Sequence, residues 1–99
     1  MTGTSEKNDM NDLEKAIRQL DPPAPEDVAA ARKKAGLSQD EAAGLIGATG
    51  KSRYRTWQNY ETPDGPGARP IPASAWELFL LKTGQHPALA LVVRQPDEI

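Results

Sequence analysis

The chain has 99 residues, a net charge of −2, one histidine and no cysteine. This length suits one small domain, and the composition excludes a disulfide framework, a thiolate metal site and a histidine metal cluster. The N-terminal residues lack the apolar core of a signal peptide, and no stretch approaches a membrane span, so we expect a cytoplasmic protein.

A flexible N-terminal segment is predicted over residues 1–24. Within it, three apolar side chains at helical spacing predict a short amphipathic helix over residues 11–20. The prolines of residues 21–25 end this helix and form a stiff spacer. We therefore expect the folded domain to occupy residues 25–93 and a tail to follow over residues 94–99.

Helical periodicity and helix-end signals predict the elements of this domain. Its first four helices are expected over residues 26–35, 39–46, 53–61 and 73–83. Ser38 is the predicted N-cap of the second helix, with Glu41 completing a capping box, and Ser52 is the predicted cap of the third. Residues 87–93 are apolar and alternate; a fifth helix is favoured there and a strand is the alternative. In the first helix, Val28, Ala31, Arg32 and Ala35 lie along one stripe. The side chains expected to face the core from the next two helices are Ala42, Leu45, Ile46, Trp57 and Tyr60.

Charge is distributed unevenly along the chain. Residues 1–27 hold seven acids and three bases, whereas residues 28–60 hold six bases and two acids. Residues 61–99 hold five acids and three bases. A local basic face on a mildly acidic protein is typical of operator-binding proteins, because only the docking surface meets phosphate. Helix surfaces also carry Lys and Arg simply for solubility, so the charge pattern alone leaves both interpretations open.

The segment 37–61 carries the side chains that suit DNA. A recognition helix lies in the major groove with its N-terminal half nearest the bases, where Arg pairs with guanine and Gln or Asn pairs with adenine. The starts of helices also bind phosphate through free backbone N–H groups. The predicted DNA-binding residues are Gln39, Lys51, Ser52, Arg53, Tyr54, Arg55, Gln58 and Asn59.

The same segment resembles a known family. Gln39, Ala43 and Gly47 have the spacing of the first motif helix and turn in the Cro and lambda-repressor-like helix-turn-helix family, also called the Xre family. In that family, Gln opens the helix, a small residue lies where the two helices touch, and Gly lies at the turn. The stretch Thr56–Glu61 is similar to the end of the family's recognition helix, and Ile71–Phe79 is similar to the start of the helix that follows it.

This resemblance covers residues 25–84 and implies an all-α fold, a small bundle of about five helices with a helix-turn-helix. It also implies a transcriptional regulator of phage or plasmid type, a repressor that binds a palindromic operator as a homodimer. The helix at 73–83 and residues 87–93 are the expected dimer surface, with residues 11–20 as second choice. One departure is that eight residues separate Ala48 from Trp57, more than the family has, so either the turn is longer or the recognition helix gains a turn at its start.

A protein-interaction module, such as an antitoxin or adaptor with little DNA binding, is the alternative function. The chain contains no recognisable set of positioned acid, base and nucleophile, so we do not expect an enzyme. We likewise expect no metal, no small-molecule cofactor and no membrane partner.

Overall fold

A computed structural model describes residues 20–94, and over this range the protein consists of four α-helices with no strand. They are α1 (Pro25–Lys34), α2 (Gln39–Leu45), α3 (Arg53–Glu61) and α4 (Ala73–Lys82). Each bound agrees with the sequence prediction to within one residue, so the all-helical class is confirmed for this part of the chain. The helix predicted over residues 11–20 and most of the tail predicted over 94–99 lie outside the described residues.

The fifth helix predicted over residues 87–93 is wrong, and so is the strand alternative. The segment has neither helical nor strand pairing. Leu91, Val92 and Val93 are 59, 89 and 84% exposed, so they do not pack against the rest of residues 20–94. A short helix depends on such packing, and adjacent β-branched residues lower its intrinsic stability further. The described part of the bundle therefore has four helices rather than about five.

The starts of α1 and α2 are set by local hydrogen bonds. Pro25 occupies the first position of α1, where its missing N–H costs nothing, and Asp27 accepts a bond from the backbone N–H of Ala24 at 3.0 Å. Ser38 and Glu41 form the predicted capping box at α2, with bonds of 3.0 Å to the Ser38 hydroxyl and 2.9 Å to the Glu41 carboxylate.

The core is centred on Trp57, which is fully buried. Its ring lies 4.7 Å from that of Phe79, so the aromatic contact joins α3 to α4. Ala42 and Ala43 are also fully buried, and their small side chains allow α2 and α3 to approach closely. The remaining buried apolar residues are Val28, Ala31, Ile71, Trp76 and Leu80.

Other predicted core residues lie at the edge of this cluster. Ala35, Leu45, Ile46 and Tyr60 are only partly buried and pack against it. Among residues 20–94, no helix has the length and apolar character needed to cross a membrane.

Candidate nucleic-acid interface

The connection between α2 and α3 spans residues 46–52. Gly47 and Gly50 have φ values of 92° and 94°, in the left-handed region that glycine adopts without strain. The backbone N–H of Ala48 returns to the carbonyl of Ala43 at 3.0 Å, and α3 then starts at Arg53. Of the eight residues between Ala48 and Trp57, the first four therefore lie in the connection and the last four form the first turn of α3.

The far end of α3 is held by a hydrogen-bond network on the Glu61 carboxylate. Its Oε2 accepts bonds from Arg32 Nε and Trp57 Nε1, both at 2.6 Å. Its Oε1 accepts bonds from Gln39 Nε2 at 3.0 Å and Arg32 Nη2 at 3.2 Å. The same guanidinium also donates to the carbonyl of Leu37 at 3.0 Å. One side chain thus joins α1, α2 and α3.

The network is shielded from water, since the side chains of Arg32 and Glu61 are 15 and 10% exposed. Burial alone would raise the pKa of Glu61, but the hydrogen bonds from Arg32, Gln39 and Trp57 outweigh it and hold that pKa below its ordinary value. The hydrogen bond to Glu61 in turn raises the pKa of Arg32, against the opposing effect of burial. Both groups are therefore charged in the folded protein at neutral pH.

Sequence reasoning missed the two charged members of this network. The sequence prediction places Arg32 on one stripe with Val28 and Ala31 but treats it as a solvent-facing base, and Glu61 enters the prediction only as part of the recognition-helix pattern. A signal was present, because Arg32 lies four residues from the buried Val28 and shares its stripe with Ala31 and Ala35. A cation on such a stripe requires a partner, and Glu61 provides it.

The start of α3 is held by a second ion pair. Arg53 Nε and Nη2 donate to the two carboxylate oxygens of Asp40, at 3.0 and 2.9 Å. This hydrogen bonding lowers the pKa of Asp40 and raises the pKa of Arg53. The guanidinium lies against the backbone of α2 at Gly44. α3 is thus tied to α2 at its start and at its end.

The eight predicted DNA-binding residues consequently fall into two groups. Gln39 donates to Glu61 and Arg53 donates to Asp40; the first contact is partly buried, whereas the second lies at the surface, with the two side chains 34 and 50% exposed. Asn59 is half-buried, and its backbone carbonyl accepts a bond from the N–H of Arg69 at 3.1 Å. The others are exposed and form what we term the outer face of α3: Lys51, Ser52, Tyr54, Arg55 and Gln58. DNA binding by each of the eight stays a prediction.

The outer face is positively charged. Lys51 and Arg55 are exposed, and neither is paired with a carboxylate of residues 20–94. Glu61 is the only acid of α3, and it is turned inward and paired. An approaching anion therefore meets cations and polar side chains on this face without competing carboxylates from the same helix.

Comparison with known protein families, with curated proteins and with solved structures finds no match to this chain.

Replacing Glu61 by Gln should destabilise the domain by about 3 kcal/mol, because only a carboxylate accepts four hydrogen bonds here and an amide would turn its NH2 toward donors. Thermal unfolding should show this as a decrease in Tm of more than about 10 °C. Glu41→Gln is the matched control, since it alters only an exposed cap and should cost less than about 1 kcal/mol. Equal losses in the two variants would contradict the role of the network.

Acid should unfold the protein through the same group. The folded-state pKa of Glu61 is lowered, so its contribution to the free energy of unfolding is fully present above the unfolded pKa of about 4.3 and is lost as pH falls through the folded value. Denaturant titrations from pH 7 to pH 3 measure how the free energy of unfolding changes with pH. Asp40→Asn, which removes the exposed carboxylate with a lowered pKa, should retain most of the acid sensitivity, whereas Glu61→Gln should lose most of it.

Proposed function

We propose that this protein binds duplex DNA sequence-specifically through the outer face of α3 and acts as a transcriptional repressor of the Xre helix-turn-helix type. The observation that carries the proposal is a helix with one face anchored by ion pairs at both ends and the opposite face exposed, basic and polar. In this proposal α2, the connection 46–52 and α3 form the helix-turn-helix.

The dimensions and side chains of α3 support this function. Its nine residues give a length of about 14 Å. An α-helix with its side chains is about 10–12 Å in diameter, so it fits into the major groove, which is about 12 Å wide. Arg55 is suited to a bidentate contact with guanine, and Gln58, three residues later on the exposed side, to a bidentate contact with adenine. Lys51 and Ser52 precede the helix, and their ammonium and hydroxyl groups are suited to phosphate contacts. Tyr54, 38% exposed, adds an apolar contact beside them.

The anchoring of α3 also favours base reading over loose charge attraction. Discrimination between bases requires a fixed side-chain geometry, whereas phosphate attraction tolerates movement. The network on Glu61 and the pair between Arg53 and Asp40 hold α3 in place before DNA arrives. The entropy cost of ordering the reading helix has therefore already been met in the free protein.

We further propose that the protein acts as a homodimer on a two-fold-symmetric operator, with half-sites about 10 base pairs apart. The exposed apolar side chains of Leu91, Val92 and Val93 support this, because three consecutive exposed apolar residues on so small a domain are typical of an association surface. These residues follow shortly after α4 in the chain. The two segments expected to form the dimer surface, α4 and residues 87–93, are therefore close together in the sequence.

The DNA-binding proposal is tested by selecting a target from random duplexes and measuring Kd against salt. Affinity should decrease by about one log unit per log of salt for each phosphate contacted. Arg55→Ala and Gln58→Ala should each weaken binding about tenfold or more and relax the preference at one base pair. Lys34→Ala, which removes an exposed cation of α1, should leave base preference unchanged. A wild-type protein without salt-sensitive affinity would refute the proposal and favour the interaction-module alternative.

The dimer is tested separately by sedimentation equilibrium of the wild type and of a Leu91→Asp/Val93→Asp variant. Burying two carboxylates at an apolar interface is strongly unfavourable, so the variant should be monomeric. Its folding should be unaffected, because both side chains are exposed in the isolated domain. Dimers of equal stability in both proteins would place the association surface elsewhere.

A further inference from the structure

We propose that Arg53 is a positioning residue, which locks the start of α3 onto α2 and thereby orients the outer face, and that it does not itself bind DNA. This inference rests on the proposed DNA-binding function. It revises the expectation that Arg53 reads bases or phosphates, and it assigns a role to Asp40 and Gly44.

The geometry of the ion pair carries the first step. Asp40 is the second residue of α2 and Arg53 is the first residue of α3. Two parallel hydrogen bonds, 3.0 and 2.9 Å long, join the Arg53 fork to both carboxylate oxygens of Asp40. A bidentate pair fixes orientation as well as distance, unlike a single contact between point charges. The pair therefore defines how the first turn of α3 meets α2.

Gly44 provides the second step. A Cβ atom at this position would lie 2.6 Å from Arg53 Nη1 and 2.9 Å from its Cζ. The guanidinium thus occupies the space that the side chain of any residue other than glycine would fill at position 44. Gly44 lies inside a helix with an ordinary backbone conformation, where glycine otherwise weakens the helix by about 1 kcal/mol relative to alanine. Accommodation of the Arg53 side chain is a physical reason for glycine here.

The weak start of α3 provides the third step. Ser52 occupies the N-cap position of α3, as the sequence predicts, but among residues 20–94 its hydroxyl accepts no hydrogen bond from a backbone N–H. The first turn of α3 also contains no acid that would interact favourably with the helix dipole. The long connection 46–52 precedes it. The ion pair between Arg53 and Asp40 therefore holds the first turn of α3 in place, as a capping side chain usually does.

The charge balance agrees with this role. Asp40 neutralises Arg53, and both oxygens of Asp40 are used in doing so. If Arg53 turned toward DNA, it would leave the Asp40 carboxylate unpaired beside the phosphates, which is unfavourable. Lys51 and Arg55 have no such partner among residues 20–94, so of the three cations in or just before α3 they are the two that can meet DNA without breaking an ion pair.

The test compares Arg53→Ala, Asp40→Ala and the double variant on the selected duplex, with Gly44→Ala as an independent probe. Gly44→Ala improves helix propensity while displacing the flexible end of Arg53, so lost affinity in this variant cannot be attributed to unfolding. A lock predicts that each variant weakens binding about fivefold, that the double variant is no worse than either single one, and that the slope of log Kd against log salt is unchanged.

A DNA contact by Arg53 predicts the opposite pattern and would overturn the inference. Arg53→Ala would then lower the salt slope by about one, while Asp40→Ala would leave affinity equal or higher, because it removes a negative charge and releases the arginine. If wild-type protein binds no DNA, the proposed function fails, and amide hydrogen exchange at residues 55–57 tests the lock alone. Exchange should then be faster in all three single variants, and unchanged exchange would overturn the inference.

Discussion

Four hydrogen bonds converge on the carboxylate of Glu61, and the arrangement of three helices depends on them. Arg32, Gln39 and Trp57 come from α1, α2 and α3, and each donates to this one group. Because the domain is small, its apolar core provides only a narrow stability margin. A shielded carboxylate with four donors adds directional bonds that an apolar contact between the same helices would lack. The packing of the core and the position of α3 are thus coupled through one residue.

The two sides of α3 consequently have different surroundings. Trp57 packs into the core and Glu61 binds its donors, while Arg55 and Gln58 face outward. Polar residues used inside the domain and polar residues available outside it look alike in sequence. Gln39 shows this, since its amide, which was expected to meet phosphate, donates to Glu61 within the domain. Fewer polar side chains therefore lie on the outer face than the number of polar residues in the segment 37–61 suggests.

The helices were predictable because their signals are local. The capping box of Ser38 and Glu41 spans three residues, and the periodicity of each helix is read within a few turns. The ion pairs were not predictable in the same way, because Arg32 and Glu61 are 29 positions apart and meet only after α1 and α3 have packed. The helix at residues 87–93 was wrongly predicted for a related reason: apolar character there predicts burial, but burial depends on distant contacts, and Leu91, Val92 and Val93 are exposed in the described domain.

Internal pairing also changes the electrostatics of the proposed interface. Of the six bases of residues 28–60, Arg32 and Arg53 are neutralised by carboxylates of the same domain. The remaining positive charge on and beside α3 is therefore modest, and one copy can contact few phosphates. Specific affinity from few charge contacts requires either precise base contacts or two copies acting together, since linking two sites multiplies their affinities. A rigidly held α3 meets the first requirement, and the exposed apolar residues after α4 provide a physical basis for the second.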